Sequence, residues 1–550
     1  MRVKFLKFAL MAAACSAAAL AAGFGSAALA GNIAVPPHVS MAQAKYYAAH
    51  PDEWNAIMAR APTTKTVVPA PAPPKYAPVP PGSWSTLLHT APATGLGNPL
   101  LLTDGTVIVH VLCSPTWYKL KPDENGSYIY GTWTQIANAP WAPLYFASQI
   151  LNDGRVVGNG GEYDGNQSCT AHWITGGGVY NPVSNTWVAL APPSGWTTIG
   201  DAQSIILPNT KYMLADCCTR NQAILNLPTL TFTPTGSGKF DVNDEEGWAL
   251  LHDNTVLTTD AYVFTGTCGF NTERYNAGTG AWTSAGNATT QLSDCTGNLS
   301  FEVGPLLTRP NGTVVAFSGL TTGVAGTSVY NPGTNTWSVG TNLPTIAGQN
   351  YNLADAPAAI LQSSNIFFAA SPGLFSAPTH FFEYSNAGAI VQRADPAGAS
   401  GNPSYVYNFL NLPNGQVLMT DFTNNVQIYT PFGTFVDAWR PTITSLSSTT
   451  LTRGTIYTVS GKQLNGITHG VYGDDQQAST NFPLVQLVNQ DTNQVYFARS
   501  YSFTNRSIAL NSASTASFRM PPAAAMPAGT YSLKVISNAI PSNSTTVTVN

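Results

Sequence analysis

Tyr180-Asn181-Pro182-Val183-Ser184-Asn185-Thr186-Trp187 has the pattern of one β-hairpin: an aromatic strand residue, a turn of small polar residues, and a tryptophan seven positions later. The same spacing returns at 275–282 and at 330–337, and Leu225 to Phe232 keeps it in weaker form. The leading strand alone recurs at Tyr118, Tyr384 and Tyr429. The repeat of about 45–60 residues is in the range of propeller blades.

A second series of turns alternates with these hairpins. It consists of Asp-Gly, Asn-Gly and related pairs at 104–105, 153–154, 209–210, 253–254, 311–312, 364–365 and 414–415. Asp-Gly and Asn-Gly favour hairpins because both residues tolerate the positive φ of a type I′ turn. Seven inner hairpins between seven outer strands predict an all-β fold, a seven-bladed kelch-like β-propeller, whose radial closure protects the sheet edges.

The first thirty residues have the features of a secretory signal peptide. Basic residues at positions 2, 4 and 7 precede an apolar run, and Ala28-Leu29-Ala30 forms an A-x-A cleavage site before Gly31. We therefore expect a protein that is secreted, or periplasmic or extracellular. Cys15 lies in a weak lipoprotein-like box, and its lipidation is left open. No other apolar stretch is long enough to predict a membrane-spanning helix.

Composition narrows the class of partner. Charged residues make up 9% of the chain and the formal net charge is -4, so no basic patch exists for phosphate contacts and a nucleic-acid partner is not predicted. Outside the signal there are six cysteines: Cys113, Cys169, Cys217, Cys218, Cys268 and Cys295. An even count in an exported chain favours disulfides. We expect Cys268 to pair with Cys295, whereas Cys217 and Cys218 pair with each other or elsewhere.

The chain divides into four predicted regions. After the signal peptide (1–30) comes an N-terminal region (31–89), with a helical pattern that begins at the N-cap candidate Ser40 and a proline-rich linker. The propeller is predicted over 90–440. From 441 to 550 Thr, Ser and Val alternate, which predicts an immunoglobulin-like β-sandwich.

Four successive blades are predicted to begin their inner strands with acidic residues: Asp201, Glu245 or Glu246, Glu302 and Asp355. The starts of all inner strands meet at one mouth of a propeller's central channel, so these carboxylates should converge there. Tyr145 and Tyr405 would complete this acidic mouth. Trp248, near an inner-strand start, is a candidate to stack on a sugar ring. The neighbouring Gly236-Ser237-Gly238-Lys239 is predicted to be a flexible turn with a solvated lysine; the alternative is that Lys239 neutralises part of the acidic mouth.

Residues 468–475, Thr468-His469-Gly470-Val471-Tyr472-Gly473-Asp474-Asp475, resemble the loop with which the C-terminal early set domain of the galactose oxidase/glyoxal oxidase family enters the propeller axis. Together with the propeller and the sandwich, the resemblance covers residues 90–550. It implies a copper-dependent oxidase of alcohols or aldehydes, whose copper is held by two tyrosines and two histidines, with one tyrosine cross-linked to a cysteine. In this resemblance His469 stands at the position of a histidine ligand over the mouth.

The other positions of that copper site differ in this chain. Tyr145-Phe146 occupies the position of the family's cross-linked cysteine, and Asp201 occupies that of the tyrosine bonded to it. The family's Tyr-His pair corresponds to Tyr405-Val406. One histidine and one tyrosine do not make a Cu(II) site, which needs several nitrogen donors. The copper-radical site is therefore not predicted to be retained.

Clustered carboxylates either bind a cation or share protons, and an all-oxygen set suits Ca²⁺. Two of them could instead act as general acid and base, or as nucleophile, on a glycosidic bond, or each could only cap backbone N–H groups. The leading hypothesis is a protein that binds or acts on a carbohydrate or small polyol at the acidic mouth, with Tyr405 and His469 positioning the substrate. A divergent copper oxidase using His469, Tyr405 and Tyr145 and a non-catalytic surface or matrix protein are the alternatives. Whether the chain is an enzyme, and its oligomeric state, are left open.

Overall fold

The computed structural model describes residues 32–75, 77–263, 267–295, 300–473 and 475–550. The predicted signal peptide, Cys15 and Asp474 lie outside the described residues. Within them the regular structure consists of β-strands, two α-helices and four short 3-10 helices, Gly165–Gln167, Ala399–Gly401, Ser404–Val406 and Asp437–Trp439. The all-β prediction is confirmed. No helix in the described part of the chain has the length and apolar character needed to cross a membrane.

The two α-helices, Met41–Ala49 and Pro51–Met58, follow each other near the N-terminus. The first begins where the sequence predicts, because the Ser40 hydroxyl accepts a hydrogen bond from the Gln43 N–H at 3.2 Å. Proline at the first position of the second helix is favourable because its missing N–H would have no partner there. Tyr47 and Trp54 pack the two helices together, with 5.4 Å between ring centroids.

Seven antiparallel sheets of at least four strands follow one another along the described chain. We number them in chain order. Sheet 1 contains Leu96–Leu101, Val107–Val111, Trp117–Lys121 and Thr132–Gln135; sheet 2 contains Ala147–Ile150, Val156–Asn159, Gly177–Asn181 and Thr186–Ala189; sheet 3 contains Ser204–Ile206, Tyr212–Ala215, Gln222–Asn226 and Thr231–Thr235; sheet 4 contains Ala249–Leu250, Thr255–Thr259, Asn271–Asn276 and Ala281–Asn287. Sheet 5 contains Leu306–Thr308, Val314–Phe317, Gly326–Asn331 and Thr336–Asn342; sheet 6 contains Ala358–Ile360, Ile366–Pro372, His380–Tyr384 and Ile390–Gln392, extended by Gln349–Asn352 and Thr345–Ile346; sheet 7 contains Asn408–Asn411, Val417–Thr420 and Gln427–Thr430.

The first and last parts of this series are joined in sheet 7. Its fourth strand is Ser83–Thr86, from the start of the chain, which pairs antiparallel with Gln427–Thr430. Such pairing closes the ring of sheets and leaves no open end. A further three-stranded sheet of Pro143–Leu144, Tyr163–Asp164 and Thr170–Ala171 lies beside sheet 2.

The repeated Tyr–Trp pattern is explained by the strand register. Tyr180 faces Trp187 across the outer hairpin of sheet 2, with ring centroids 5.1 Å apart, and the pairs at 275–282 and 330–337 have 5.2 and 5.0 Å. Cross-strand aromatic pairs of this kind stabilise a sheet. These tryptophans therefore pack the sheets.

The C-terminal strands form a separate nine-stranded arrangement: Thr442–Leu446, Thr450–Leu451, Ile456–Lys462, Leu484–Asn489, Val495–Tyr501, Ala513–Arg519, Gly529–Ser537, Ile540–Pro541 and Thr545–Val549. Buried and more exposed residues alternate along several of them, as expected for strands with one face in a core. One hairpin leaves this arrangement. Its strands His469–Tyr472 and Gln476–Gln477 extend sheet 5, where Val471 pairs with Leu306.

The six described cysteines form three close pairs, Cys113–Cys169, Cys217–Cys218 and Cys268–Cys295. The expected Cys268–Cys295 pair is among them, and the two adjacent cysteines pair with each other. Cys113 and Cys169 are 56 residues apart, so their bridge restricts a long loop of the unfolded chain.

Replacing both Cys113 and Cys169 by alanine is expected to lower the free energy of unfolding by about 2–4 kcal/mol. The reason is that the unfolded chain regains the entropy of the long loop. Guanidinium unfolding of the oxidised protein measures the change. The matched control is the Cys217→Ala/Cys218→Ala double variant, whose bridge joins neighbours and closes almost no loop. An equal loss of stability in both variants would contradict the loop argument.

Candidate axial site

Seven buried acidic side chains come together where the inner strands begin. Five of them precede the first strands of sheets 3 to 6, Glu162 follows the second strand of sheet 2, and one lies in the C-terminal hairpin. We call them the axial carboxylate cluster: Glu162, Asp201, Asp244, Glu245, Glu302, Asp355 and Asp475. None is more than 5% exposed. The sequence predicts that Asp201, Glu245, Glu302 and Asp355 converge, and the structure adds the other three residues to this group.

Glu245, Glu302 and Asp355 form the densest part of the cluster. One carboxylate oxygen of each lies within 4.8 Å of the others. Carboxylates this close together repel one another unless a proton or a cation lies between them. Neither oxygen of Glu245 has a hydrogen-bond partner among the described residues. The buried lone pairs of the Glu245 oxygens therefore favour a positively charged group at this position.

The backbone is also unusual at this place. Tyr145, Glu245 and Asp355 have φ values of 50°, 59° and 48°, in the left-handed region that side chains other than glycine rarely adopt. Such conformations cost about 1–3 kcal/mol each and cluster at functional sites, where the surrounding structure holds them. They aim these three side chains at the cluster.

Burial raises the pKa of Glu162, Asp244, Glu245, Asp355 and Asp475, and the neighbouring carboxylates raise it further. For Glu245 the neighbours that add to burial are Glu302 and Asp244. The pKa of Glu162 is raised by burial and then by Asp201. Burial raises the pKa of Asp475 to about 8, although its opposing neighbour His38 lowers it. Without a bound cation the Asp475 carboxyl therefore holds a proton at neutral pH.

A segment from the N-terminus covers the cluster. Residues 35–40, the covering segment, are all buried. Three tyrosine hydroxyls donate hydrogen bonds to its backbone carbonyls: Tyr405 to Val35 at 2.9 Å, Tyr145 to Pro36 at 2.8 Å and Tyr163 to Pro37 at 2.7 Å. In the other direction, the Val39 N–H donates to Glu162 and the Met41 N–H to Asp244, at 2.9 and 3.1 Å. The hydroxyls of Tyr145 and Tyr405, which the sequence suggests as substrate-binding groups, thus both hold this segment.

His38 places its imidazole among the carboxylates. Its Nδ1 lies 3.6 Å from Glu162 and 3.9 Å from Asp201, and its ring lies against Tyr145 with 3.5 Å between centroids. Although burial lowers the pKa of His38, Asp355 and Asp201 raise it above its ordinary value. The sequence offers no spacing signal for this residue, because it lies far from every strand it contacts.

Glu246 does not belong to the cluster, which corrects one predicted position. Glu245 lies in a turn with a φ of 59° and joins Glu302 and Asp355 at the axis, whereas Glu246 lies on the other side of the chain with Asp241 and Asp260. There Glu246 contacts the Lys239 ammonium at 2.8 Å.

Lys239 is also surrounded by Asp241, by Asp260 at 3.3 Å and by Glu273 at 3.0 Å, and its side chain is fully buried. The expectation of a solvated lysine in a flexible turn is therefore wrong: four carboxylates bury and compensate its charge.

The C-terminal hairpin reaches the cluster, but not through His469. The His469 ring accepts a hydrogen bond from the Leu250 N–H at 3.3 Å, beside the far end of an inner strand, and burial lowers its pKa to about 3. Gly473 lies next to Asp355, and at about 3.4 Å per residue His469 is roughly 14 Å behind it. Asp475 makes the contact instead and accepts the Phe146 N–H at 2.5 Å. The predicted role of His469 in substrate positioning is corrected accordingly.

The Trp248 side chain is buried in the core of the protein. It is 1% exposed and packs against Trp282, with 5.7 Å between ring centroids. A sugar ring has no access to its faces, so the predicted stacking role is corrected to core packing.

No protein-family model matches the chain, and no curated protein matches it. Among solved structures, it is similar to a fungal alcohol oxidase of the AA5 family in complex with copper, with 16% identity over 85% of this chain and 99% of that chain and a TM-score of 0.48. It is also similar to virginiamycin B lyase from Staphylococcus aureus, with 10% identity over 64% of this chain and 99% of that chain and a TM-score of 0.45. Likenesses this weak carry no argument about activity.

The donor set of the axial site can be tested against copper directly. Within the described residues, the cluster offers one imidazole, that of His38, beside carboxylate oxygens, and the Tyr145 and Tyr405 hydroxyls are engaged with backbone carbonyls. Cu(II) favours several nitrogen donors, whereas Ca²⁺ binds six to eight oxygens. The residues present do not fit the copper site of the resembled family, and Glu245, Glu302 and Asp355 fit a hard cation.

Proposed function

We propose that this exported protein binds a hard divalent cation such as Ca²⁺ in the axial carboxylate cluster and, through that ion, a carbohydrate or small polyol. Glu245, Glu302 and Asp355 are the proposed ligands. One observation carries the proposal: the Glu245 carboxylate is buried, and both of its oxygens lack a hydrogen-bond partner among the described residues. A buried charged group without compensation is strongly unfavourable, and a bound cation removes the penalty.

The separations support an ion of this type. Oxygen ligands lie about 2.3–2.6 Å from Ca²⁺, so two of them stand at most about 5 Å apart. The three carboxylate oxygens, all within 4.8 Å of one another, satisfy this condition. Three side chains leave coordination positions open on an ion that takes six to eight oxygens, and a pair of adjacent hydroxyls on a sugar or polyol can fill them.

Access limits the size of the ligand. The covering segment, residues 35–40, is buried over the cluster and hydrogen-bonded to three tyrosines. A small polyol or a single sugar unit fits this situation better than a polymer chain, which would need the segment to move.

Titration of the chelator-treated full chain with Ca²⁺ by calorimetry tests the proposal. We expect one ion to bind, and Glu245→Gln or Asp355→Asn to weaken binding at least about tenfold, because each removes a charged ligand. Asp437→Asn is the matched control, since that side chain is 89% exposed. A polyol such as mannitol should bind only when Ca²⁺ is present. Absence of Ca²⁺ binding, or equal affinity in all variants, would refute the cation site.

A further inference from the structure

We propose that His38, Glu162 and Asp201 form a second metal site, for a first-row divalent transition-metal ion such as Zn²⁺, and that this ion fastens the covering segment over the axial cluster. The proposal goes beyond the proposed function because it concerns other ligands and another class of metal. It does not require that the first site bind Ca²⁺.

The geometry of the three side chains is that of metal ligands. One donor atom of each lies within 4.8 Å of the other two, and the His38 Nδ1 is 3.6 Å from Glu162 Oε2 and 3.9 Å from Asp201 Oδ2. Ligand atoms about 2.0–2.2 Å from a tetrahedral Zn²⁺ stand about 3.3–3.6 Å apart. The two distances from His38 lie within a few tenths of an ångström of that range.

Unsatisfied oxygens provide a second, independent observation. Glu162 Oε2 and Asp201 Oδ1 are buried and accept no hydrogen bond from the described residues. The side chains of Glu162 and Asp201 are 0% and 2% exposed, so water does not compensate them from outside. Buried polar atoms are almost always paired, and exceptions need an explanation such as an ion.

Two of the three ligands, Glu162 and His38, are held in place by other contacts. The second oxygen of Glu162, Oε1, accepts the Val39 N–H at 2.9 Å. The His38 ring lies against Tyr145, whose hydroxyl donates to the Pro36 carbonyl at 2.8 Å. Outer contacts of this kind orient metal ligands and raise affinity.

The composition of the site selects the class of metal. One imidazole nitrogen and two carboxylate oxygens suit Zn²⁺ and its first-row neighbours, whereas the all-oxygen group of Glu245, Glu302 and Asp355 suits Ca²⁺. A neutral imidazole and two carboxylates also balance the charge of one divalent ion. The two groups therefore differ in the ion that they prefer.

The three ligands come from different parts of the chain, so one bound ion links the covering segment to the propeller. His38 belongs to the covering segment, whereas Glu162 and Asp201 belong to the inner parts of sheets 2 and 3. After this segment and its helices, the chain runs through a proline-rich stretch in which Val68 is 94% exposed. Coordination of one ion by all three residues opposes the separation of the segment from the propeller.

The test is a titration of the full chain with Zn²⁺ in the presence of saturating Ca²⁺. We expect one Zn²⁺ to bind to the wild type and His38→Gln to weaken it at least about 100-fold, while His89→Gln, which changes an exposed histidine, has no effect. Hydrogen exchange gives a second readout. Zn²⁺ should slow exchange of the Val39 and Met41 amides at least tenfold in the wild type and leave it unchanged in His38→Gln.

Asp201→Asn serves as a second variant that removes a ligand, and thermal melts of both variants verify that they fold. The proposal is overturned if Zn²⁺ does not bind, if both variants bind it as the wild type does, or if amide exchange does not respond. The Ca²⁺ titration separates the two proposals: His38→Gln should retain wild-type Ca²⁺ affinity. If His38→Gln loses binding of both Zn²⁺ and Ca²⁺, the two ions share one site, and the proposal of a separate Zn²⁺ site is overturned.

Discussion

Lys239→Met is expected to lower the free energy of unfolding by about 3–5 kcal/mol, which is typical of removing one partner from a buried ionic network. The Lys239 ammonium is fully buried between Asp241, Glu246, Asp260 and Glu273. Although burial lowers the pKa of Lys239, Glu246 and Asp241 raise it well above its ordinary value, so the lysine is charged. Methionine keeps most of the volume but leaves the carboxylates without their counter-charge.

Urea unfolding of the two proteins at neutral pH measures this difference. Lys211→Met is the matched control, because Lys211 is an exposed turn residue and its replacement should change the free energy by less than about 0.5 kcal/mol. A change below 1 kcal/mol at neutral pH would mean that the network does not need its lysine.

The metal-free protein is expected to lose stability as the pH rises from about 5 to about 8. Asp475 has a pKa raised to about 8 by burial, with His38, Asp201 and Asp355 facing it, whereas an unfolded aspartate titrates near 3.9. Between these values the native state holds a proton that the unfolded state has released. Each such carboxyl therefore lowers the free energy of unfolding by about 1.4 kcal/mol per pH unit.

The other shifted groups of the site act in the same direction. The pKa values of Glu162, Glu245 and Asp355 are raised mainly by burial, so these carboxyls also lose native-state protons as the pH rises. The raised pKa of His38 contributes stability at low pH that disappears as the imidazole loses its proton. A bound cation replaces the protons and removes this dependence.

Thermal melts across this pH range, with chelator and with excess Ca²⁺, measure both effects. The melting temperature should fall with rising pH in chelator and remain nearly level with Ca²⁺. Asp475→Asn should reduce the slope by about one proton, and Asp437→Asn should leave it unchanged. A melting temperature that stays level or rises with pH in chelator would show that the carboxyls do not hold protons in the native state.

The sequence by itself determined the β-propeller architecture, because the information is local. Paired turn residues and the Tyr–Trp spacing report on hairpins a few residues long, and radial packing of such hairpins follows from their number and period. The same reasoning brought Asp201, Glu302 and Asp355 to one place, because residues before successive inner strands converge by topology alone. Even the helix start at Ser40 depends on a contact with Gln43, three residues away.

Only the tertiary structure decided which groups complete the site. His38 and its neighbours meet Glu162 across a sequence separation of more than 120 residues, as the contact from Val39 shows, and no local pattern encodes such a distance. The choice of Glu245 over Glu246 depends on a single-residue register, and the burial of Lys239 depends on acids as far along the chain as Asp260 and Glu273. Asp475 replaces His469 at the axis because the hairpin extends along sheet 5 by paired backbone hydrogen bonds, whose register sets how far the tip reaches.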